Sequence, residues 1–104
     1  VDIAPMNIPA NVEANYHAFW VRLANESLRD RVICEALDVG IQCFIGYVPL
    51  HSSPMGRTFG TTELPNTTKF SETILRLPFY YMKREEIEYT VTKLATVFRK
   101  FCNK

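Results

Sequence analysis

Residues 16–47, YHAFWVRLANESLRDRVICEALDVGIQCFIGY, decide the fold. Their first eight, YHAFWVRL, predict a strand. Phe19, Val21 and Leu23 share one face with His17, and Ala18 and Trp20 share the other. Both faces are mostly apolar, which places the strand in the middle of a sheet or covers it on both sides. Asn25 to Val39 predicts a helix, with Ser27 as its cap and Asp30 three residues on. Leu28, Val32, Ala36 and Leu37 form its apolar stripe. Glu26, Arg29, Asp30, Arg31, Glu35 and Asp38 supply the wet faces, and Gly40 is the left-handed stop. Residues 41–47, IQCFIGY, then read as a second strand. Strand, helix and strand within about 30 residues is a βαβ signature.

Upstream, residues 1–15 carry Pro5 and Pro9 and no helical period, so they read as an extended lead-in or linker. Residue 1 is Val, which fits a fragment or a processed chain. Downstream, residues 48–66 read as a long loop holding three prolines and two glycines. A loop beyond ~12–15 residues in a compact domain is functional or mobile. Residues 67–76 predict a short helix, capped by Asn66 or Thr67, with Phe70 and Ile74 as its buried pair. Leu75 to Tyr80 predict a third strand, which Pro78 pushes toward an edge or an early end. Residues 84–101 give the clearest helix, with Ile87, Val91, Leu94, Ala95, Phe98 and Phe101 on one stripe. Glu85 and Glu86 suit its start, and Arg99 and Lys100 its end. The fold class is α/β in the α+β sense: a small three- or four-stranded sheet with helices on one face. A third strand lying antiparallel between the first two makes it a split βαβ sandwich.

A chain of 104 residues is one domain. Seven Phe, five Tyr and one Trp offer ample surface to bury, which argues against disorder. Net charge is only +1, so there is no large electrostatic drive toward nucleic acid or an anionic membrane. Cys34, Cys43 and Cys102 contain no C-x-x-C pair. They read as reduced, mostly buried thiols of a cytoplasmic protein. No apolar run approaches the ~20 residues that cross a bilayer, and no signal peptide pattern is present.

Little in the chain points to catalysis on its own. No Gly-rich phosphate cradle follows a strand, and His17 and His51 lack metal-ligand spacing. Adjacent Glu85 and Glu86 read as a charged helix start, not an acid/base pair. Lys69, Lys83, Lys93, Lys100 and Lys104 have no apolar neighbours on their own helix faces. They therefore read as solvated charges, not as a Schiff-base lysine, which needs a desolvated pocket. His17 reads as a hydrogen-bonded structural histidine, Trp20 as core or interface packing, and Phe79–Tyr81 as an interface or an aromatic ligand wall. The segment from Tyr47 to Pro54 stands out. Two prolines stiffen a loop whose Tyr47, His51, Ser52 and Ser53 offer hydroxyl and imidazole groups. Such groups suit a sugar or phosphate ligand; spacing alone favours the plainer reading, a polar, proline-bounded loop with a locally bonded histidine.

The runs FIGYVPLHSSPMGRTFG (44–60) and TTKFSETILRLPFYYMKREEIEYTVTKL (67–94) resemble the C-terminal part of DegT/StrS-type sugar-nucleotide aminotransferases. Within that family they are most similar to enzymes that aminate TDP-4-keto-6-deoxyglucose at C4 (TDP-4-amino-4,6-dideoxygalactose transaminases). Asn15-x-His17 and Leu77-Pro78-Phe79-Tyr80 also match. The resemblance implies the small domain, residues 16–104, of the aspartate-aminotransferase fold. A large N-terminal domain of the parent would hold pyridoxal 5'-phosphate (PLP) on the Schiff-base lysine, so no catalytic or cofactor-binding residue is expected here. It further implies a homodimer, a sugar-nucleotide substrate, an amino-acid donor such as glutamate, and a role in cell-surface polysaccharide or lipopolysaccharide biosynthesis. Tyr47, His51, Ser53 and Phe59 match the family's ligand loop and are the expected substrate contacts. Gly46 stands where relatives usually have His, and Lys83 where they often have a Ser or Thr cap. With the larger parts absent, Pro49, Leu50, Phe59 and Phe79–Tyr81 are expected to be exposed.

An alternative from another class is a free-standing ferredoxin-like module binding RNA or a small molecule, with Phe19, Trp20 and Phe44 stacking bases. The near-zero net charge and the lack of a basic rim weigh against it.

Overall fold

A computed structural model describes residues 3–60 and 62–102, except for the side chain of Cys102. In chain order it contains β1 (Ile3–Pro5), β2 (Trp20–Leu23), α1 (Glu26–Asp38), a 3-10 turn (Leu50–Ser52), α2 (Pro54–Arg57), α3 (Pro65–Thr73), β3 (Ile74–Arg76) and α4 (Arg84–Cys102). The sheet order is β1-β2-β3, antiparallel throughout. β2 is the central strand, as its two apolar faces require.

β1 corrects the linker expectation for the first residues. Ile3 pairs with Leu23 and Pro5 with Val21. Pro5 lacks an N–H, which only an edge strand tolerates. β2 starts later than expected because Tyr16 takes a left-handed φ of 49°. The Asn15 side chain meanwhile accepts from the His17 backbone N–H at 3.3 Å and lies 2.8 Å from His17 Nδ1. His17 is thus a locally bonded residue of a turn.

The expected second strand, 41–47, makes one bridge instead of a ladder. Phe44 N–H donates to Arg76 O at 3.0 Å, and Arg76 N–H donates back to Phe44 O at 2.8 Å. On its other edge Arg76 pairs with Trp20. β3 therefore lies antiparallel between β2 and residues 41–47, which is the split arrangement. The ladder is short because β3 itself is short. α3 runs up to Thr73, and Pro78 lies just beyond Leu77, whose N–H makes the last sheet-like bond, to Phe19 O at 3.0 Å.

α1 is capped by Asn25, not Ser27: the Asn25 side chain accepts from Leu28 N–H at 2.9 Å. At its other end Gly40 takes φ +77°. Gly40 N–H donates to Leu37 O and Ile41 N–H to Ala36 O, the paired bonds of a Schellman stop. α3 starts two residues earlier than expected, with Pro65 in its first turn and Leu64 before it, so neither Asn66 nor Thr67 caps it. Proline suits that place because its missing N–H would have no helical acceptor. Phe70 stays partly exposed, and Ile74 is buried within β3 instead of on the helix.

The core lies on one sheet face, where Val21, Leu23 and Leu75 meet Val32 and Ala36 of α1, Leu94 and Val97 of α4, and Ile41 and Cys43. Trp20 and Arg22 alternate to the opposite face and meet Phe70 of α3, with Trp20 edge-on at 5.4 Å. The helical stripes need three corrections. Leu37 is 62% exposed, because α1 is ending there. Ile87 and Val91 are exposed while Val97 is buried, because the first turns of α4 overhang the sheet. Arg29, expected in water, is 3% exposed. Of the cysteines, Cys43 is buried and Cys34 exposed, and the expectation for the Cys102 thiol lies outside the described residues.

Candidate functional site

The long segment after Phe44 is more ordered than a loop. Ser53 caps α2 by accepting from Gly56 N–H at 2.9 Å, and its own hydroxyl donates to Leu50 O at 2.8 Å. His51 Nε2 lies 3.3 Å from Thr68 Oγ1, tying the 3-10 turn to α3. Phe59 is 86% exposed and projects from the turn after α2. Tyr47 reaches back to the sheet, where its hydroxyl accepts from Arg76 Nη1 at 2.8 Å. Tyr47, His51, Ser53 and Phe59 therefore sit along one segment, with no hydrogen bond joining any two of them. Ser53 and His51 shape the segment; Tyr47 and Phe59 present aromatic surface.

Beside this segment lies a groove of about 720 Å³, walled by Phe44, Arg76, Phe79, Tyr80 and Tyr89. It continues into a more apolar trough of about 370 Å³ that adds Tyr81, Ile87 and Val91. Leu50, Phe59 and Phe79–Tyr81 are exposed as expected, with Tyr81 fully so, while Pro49 is half-buried. The large apolar side chains exposed around this groove and trough exceed ordinary scatter and mark an interaction surface.

Arg76 is the residue that sequence reasoning missed. It stands in ILRLPF, a charged side chain inside an apolar strand, and that interruption was the available signal. Its guanidinium lies 5.2 Å from the Tyr47 ring centroid, over the ring face.

Among the described residues, the lysines lie at the surface. Lys69, Lys83 and Lys100 are exposed, and Lys100 pairs with Glu35. Lys93 lies half-buried with Nζ 5.5 Å from the Tyr89 ring centroid, and Lys104 lies outside the described residues. Among the described residues no group of three His, Cys, Asp or Glu could hold a metal ion, and no helix is long and apolar enough to cross a membrane.

Three solved structures share this fold, a small antiparallel sheet with a split crossover and packed helices. The aminotransferase TlmJ from Streptoalloteichus hindustanus matches with TM-score 0.82 at 22% identity, over 95% of this chain and 27% of that one. Spr1654 from Streptococcus pneumoniae, assigned as a sugar aminotransferase, matches in its PMP form with TM-score 0.83 at 26% identity, over 95% and 26%. Its PLP form matches with TM-score 0.81 at 25% identity, over 95% and 27%. In sequence, a pleiotropic regulatory protein from Geobacillus stearothermophilus is 31% identical over 97 residues, which are 89% of this chain and 26% of that protein. Residues 2–95 match the DegT/DnrJ/EryC1/StrS aminotransferase family, and the chain belongs to it. It spans about a quarter of the length of these relatives.

Proposed function

We propose that this chain is the small domain of a longer PLP-dependent aminotransferase that transfers an amino group to a 4-keto-6-deoxy sugar nucleotide, TDP-linked, for cell-surface polysaccharide or lipopolysaccharide biosynthesis in the cytoplasm. The observation that carries the reading is the exposure of the aromatic side chains Tyr47, Phe59 and Phe79–Tyr81, on a chain of this family that spans a quarter of its relatives. Such exposure fits a face that closes over a cavity formed with a large N-terminal domain and a homodimer partner.

The described lysines, solvated or engaged at the surface, do not offer PLP the desolvated amine it needs, so the reading places its lysine in another domain. When bound to the large domain, PLP acts as the electron sink for amino transfer. The part of residues 47–60 is then to orient the sugar nucleotide and exclude water. Tyr47 and His51 offer hydrogen bonds, Ser53 holds the turn that carries them, and Phe59 offers an apolar lid. Glutamate serves as donor. The family assignment, together with the weak net charge, sets this reading above a free-standing RNA-binding module.

The test is amination of TDP-4-keto-6-deoxyglucose by the complete gene product with PLP and glutamate. The 104-residue chain alone is expected to give no turnover. Robust transamination by that chain alone overturns the assignment of the lysine to another domain.

A further inference from the structure

The segment that follows the sheet-edge bridge has little to hold it. Among the described residues, the one hydrogen bond made by residues 45–48 is at the Tyr47 hydroxyl, which accepts from Arg76 Nη1 at 2.8 Å. Ile45, Tyr47 and Val48 are exposed, Tyr47 by 74%. A side chain so open to water, on backbone with no bonds of its own, would otherwise move among staggered rotamers. The place of Tyr47 therefore depends on Arg76.

Arg76 itself is firmly anchored. Its backbone lies where β3 is met on both edges, pairing with Trp20 on one side and exchanging two hydrogen bonds with Phe44 on the other. Gly46 then fixes the course of the side chain. A Cβ at residue 46 would fall against Arg76 Cδ and stand 2.7 Å from Arg76 Cγ. The Arg76 stem thus crosses Gly46, and the guanidinium emerges beside Tyr47, 5.2 Å from its ring centroid. Among the described residues no carboxylate lies within ion-pair distance of Arg76, so none draws the guanidinium away from the phenol.

Donor chemistry sets the direction of the phenol proton. A guanidinium has donors and no acceptor, whereas a phenol has one proton and accepts as well. In this pair Arg76 must donate and Tyr47 must accept. The Tyr47 proton is left to point elsewhere. The charge on Arg76 strengthens the bond, and a hydroxyl that accepts from a cation is polarised into a better donor.

We propose that Arg76 is the positioning residue of Tyr47: it holds the phenol at the sheet edge and commits its proton to an acceptor oxygen of the ligand, with Gly46 keeping the space this requires. Arg76 acts through the Tyr47 hydroxyl and not on the ligand. The inference deepens the proposed function and rests on it for what the ligand is.

The test is a double-mutant cycle in the complete gene product, with TDP-4-keto-6-deoxyglucose, PLP and glutamate. Tyr47→Phe and Arg76→Gln are each expected to raise KM for the sugar nucleotide by about 10-fold, with KM for glutamate changed by less than about twofold. The double variant should be no worse than the worse single variant, because Arg76 has no part once the hydroxyl is gone. Arg76→Lys keeps a charged donor but not the fork, and should recover part of the loss. Gly46→Ala should displace Arg76 and raise the same KM, but have no effect in the Tyr47→Phe background, which gives a second route where Arg76→Gln does not fold. Losses that multiply in the double variant overturn the proposal, since Arg76 then meets the ligand itself. Equal rises in both KM values, or no rise in either Arg76→Gln or Gly46→Ala, overturn it too.

A second measurement needs no turnover: the Tyr47 ring resonances of the 104-residue chain. Arg76→Gln should move them toward those of a freely rotating tyrosine while the amides of the core stay in place. A Tyr47 ring that keeps its resonances overturns the positioning, whatever the enzyme does. A gene product that aminates no keto sugar removes the enzymatic reading instead, and the ring measurement then decides the part of Arg76.

Discussion

Arg29 Nη1 donates to the backbone carbonyl of Glu72 at 2.8 Å, and to that of Ser71 at the same distance. One buried guanidinium of α1 thereby satisfies the carbonyls that α3 leaves open as it passes into β3. Glu26 and Asp30, both largely in water, neutralise it from outside at 3.1 and 2.8 Å. Among the described residues no buried side-chain polar atom lacks a partner, so the burial of this charge is fully compensated.

Removing Arg29 leaves two carbonyls without their donors at a site closed to water. Arg29→Ala is expected to destabilise the chain by about 3 kcal/mol. Arg29→Lys keeps the charge but not the fork, and should recover part of the loss. Urea unfolding of the two variants beside the parent checks this. A loss below ~0.5 kcal/mol for the alanine variant, the range of ordinary surface changes, would contradict the assigned role.

The two halves of α4 should respond differently to truncation. Leu94 is buried against the sheet, so Leu94→Ala is expected to cost ~2–5 kcal/mol. Val91, one turn earlier and 61% exposed on the trough, should tolerate Val91→Ala within ~0.5 kcal/mol. Equal losses at both positions would mean that the trough is filled in solution.

These positions show what local sequence could and could not reveal. Val32, Ala36 and the Gly40 stop depend on spacing within one helix, and they stand where the periodicity placed them. The central place of β2 and the early end of β3 before Pro78 followed from equally local signals, whereas residues 41–47 read as a strand and form only a single bridge. Arg29 could not be read this way, because its acceptors lie 42 and 43 residues away. β1 was hidden for the same reason: three residues with a proline carry no alternation, and only pairing with β2 makes them a strand. At the site, the exposure of Leu50, Phe59 and Phe79–Tyr81 was expected from the family resemblance and not from spacing. The Gly46–Arg76–Tyr47 contact joins two segments through a bend that no periodicity encodes.

The start of α4 holds half of a capping box. Glu86 at the third helical position reaches back to Lys83 N–H, but Lys83 itself has no side chain able to accept from the helix's free N–H groups. Lys83→Ser supplies that acceptor and is expected to stabilise the chain by about 1 kcal/mol. A thermal midpoint a few degrees higher would show it. Glu86→Ala in the same background should erase part of the gain, since the two arms act on one helix end.

The thiols give a prediction with a defined pH window. Cys34 is exposed and should alkylate within the native protein, whereas Cys43 lies in the core and should react only through unfolding. Burial pushes the Cys43 thiol from 9.0 up to about 11. Below pH 9 both folded and unfolded chains hold this proton, and stability is indifferent to it. Between 9 and 11 the unfolded chain releases the proton while the folded chain keeps it, so ionisation favours unfolding and stability falls with rising pH. A shift of this size corresponds to roughly 2–3 kcal/mol lost across the window. Urea midpoints for the parent and Cys43→Val measured at pH 8 and pH 11 isolate the effect. The parent should lose more stability than the variant on going to the higher pH, because valine has no proton to release. A parallel decline in both would place the alkaline loss elsewhere and leave Cys43 without a part in it.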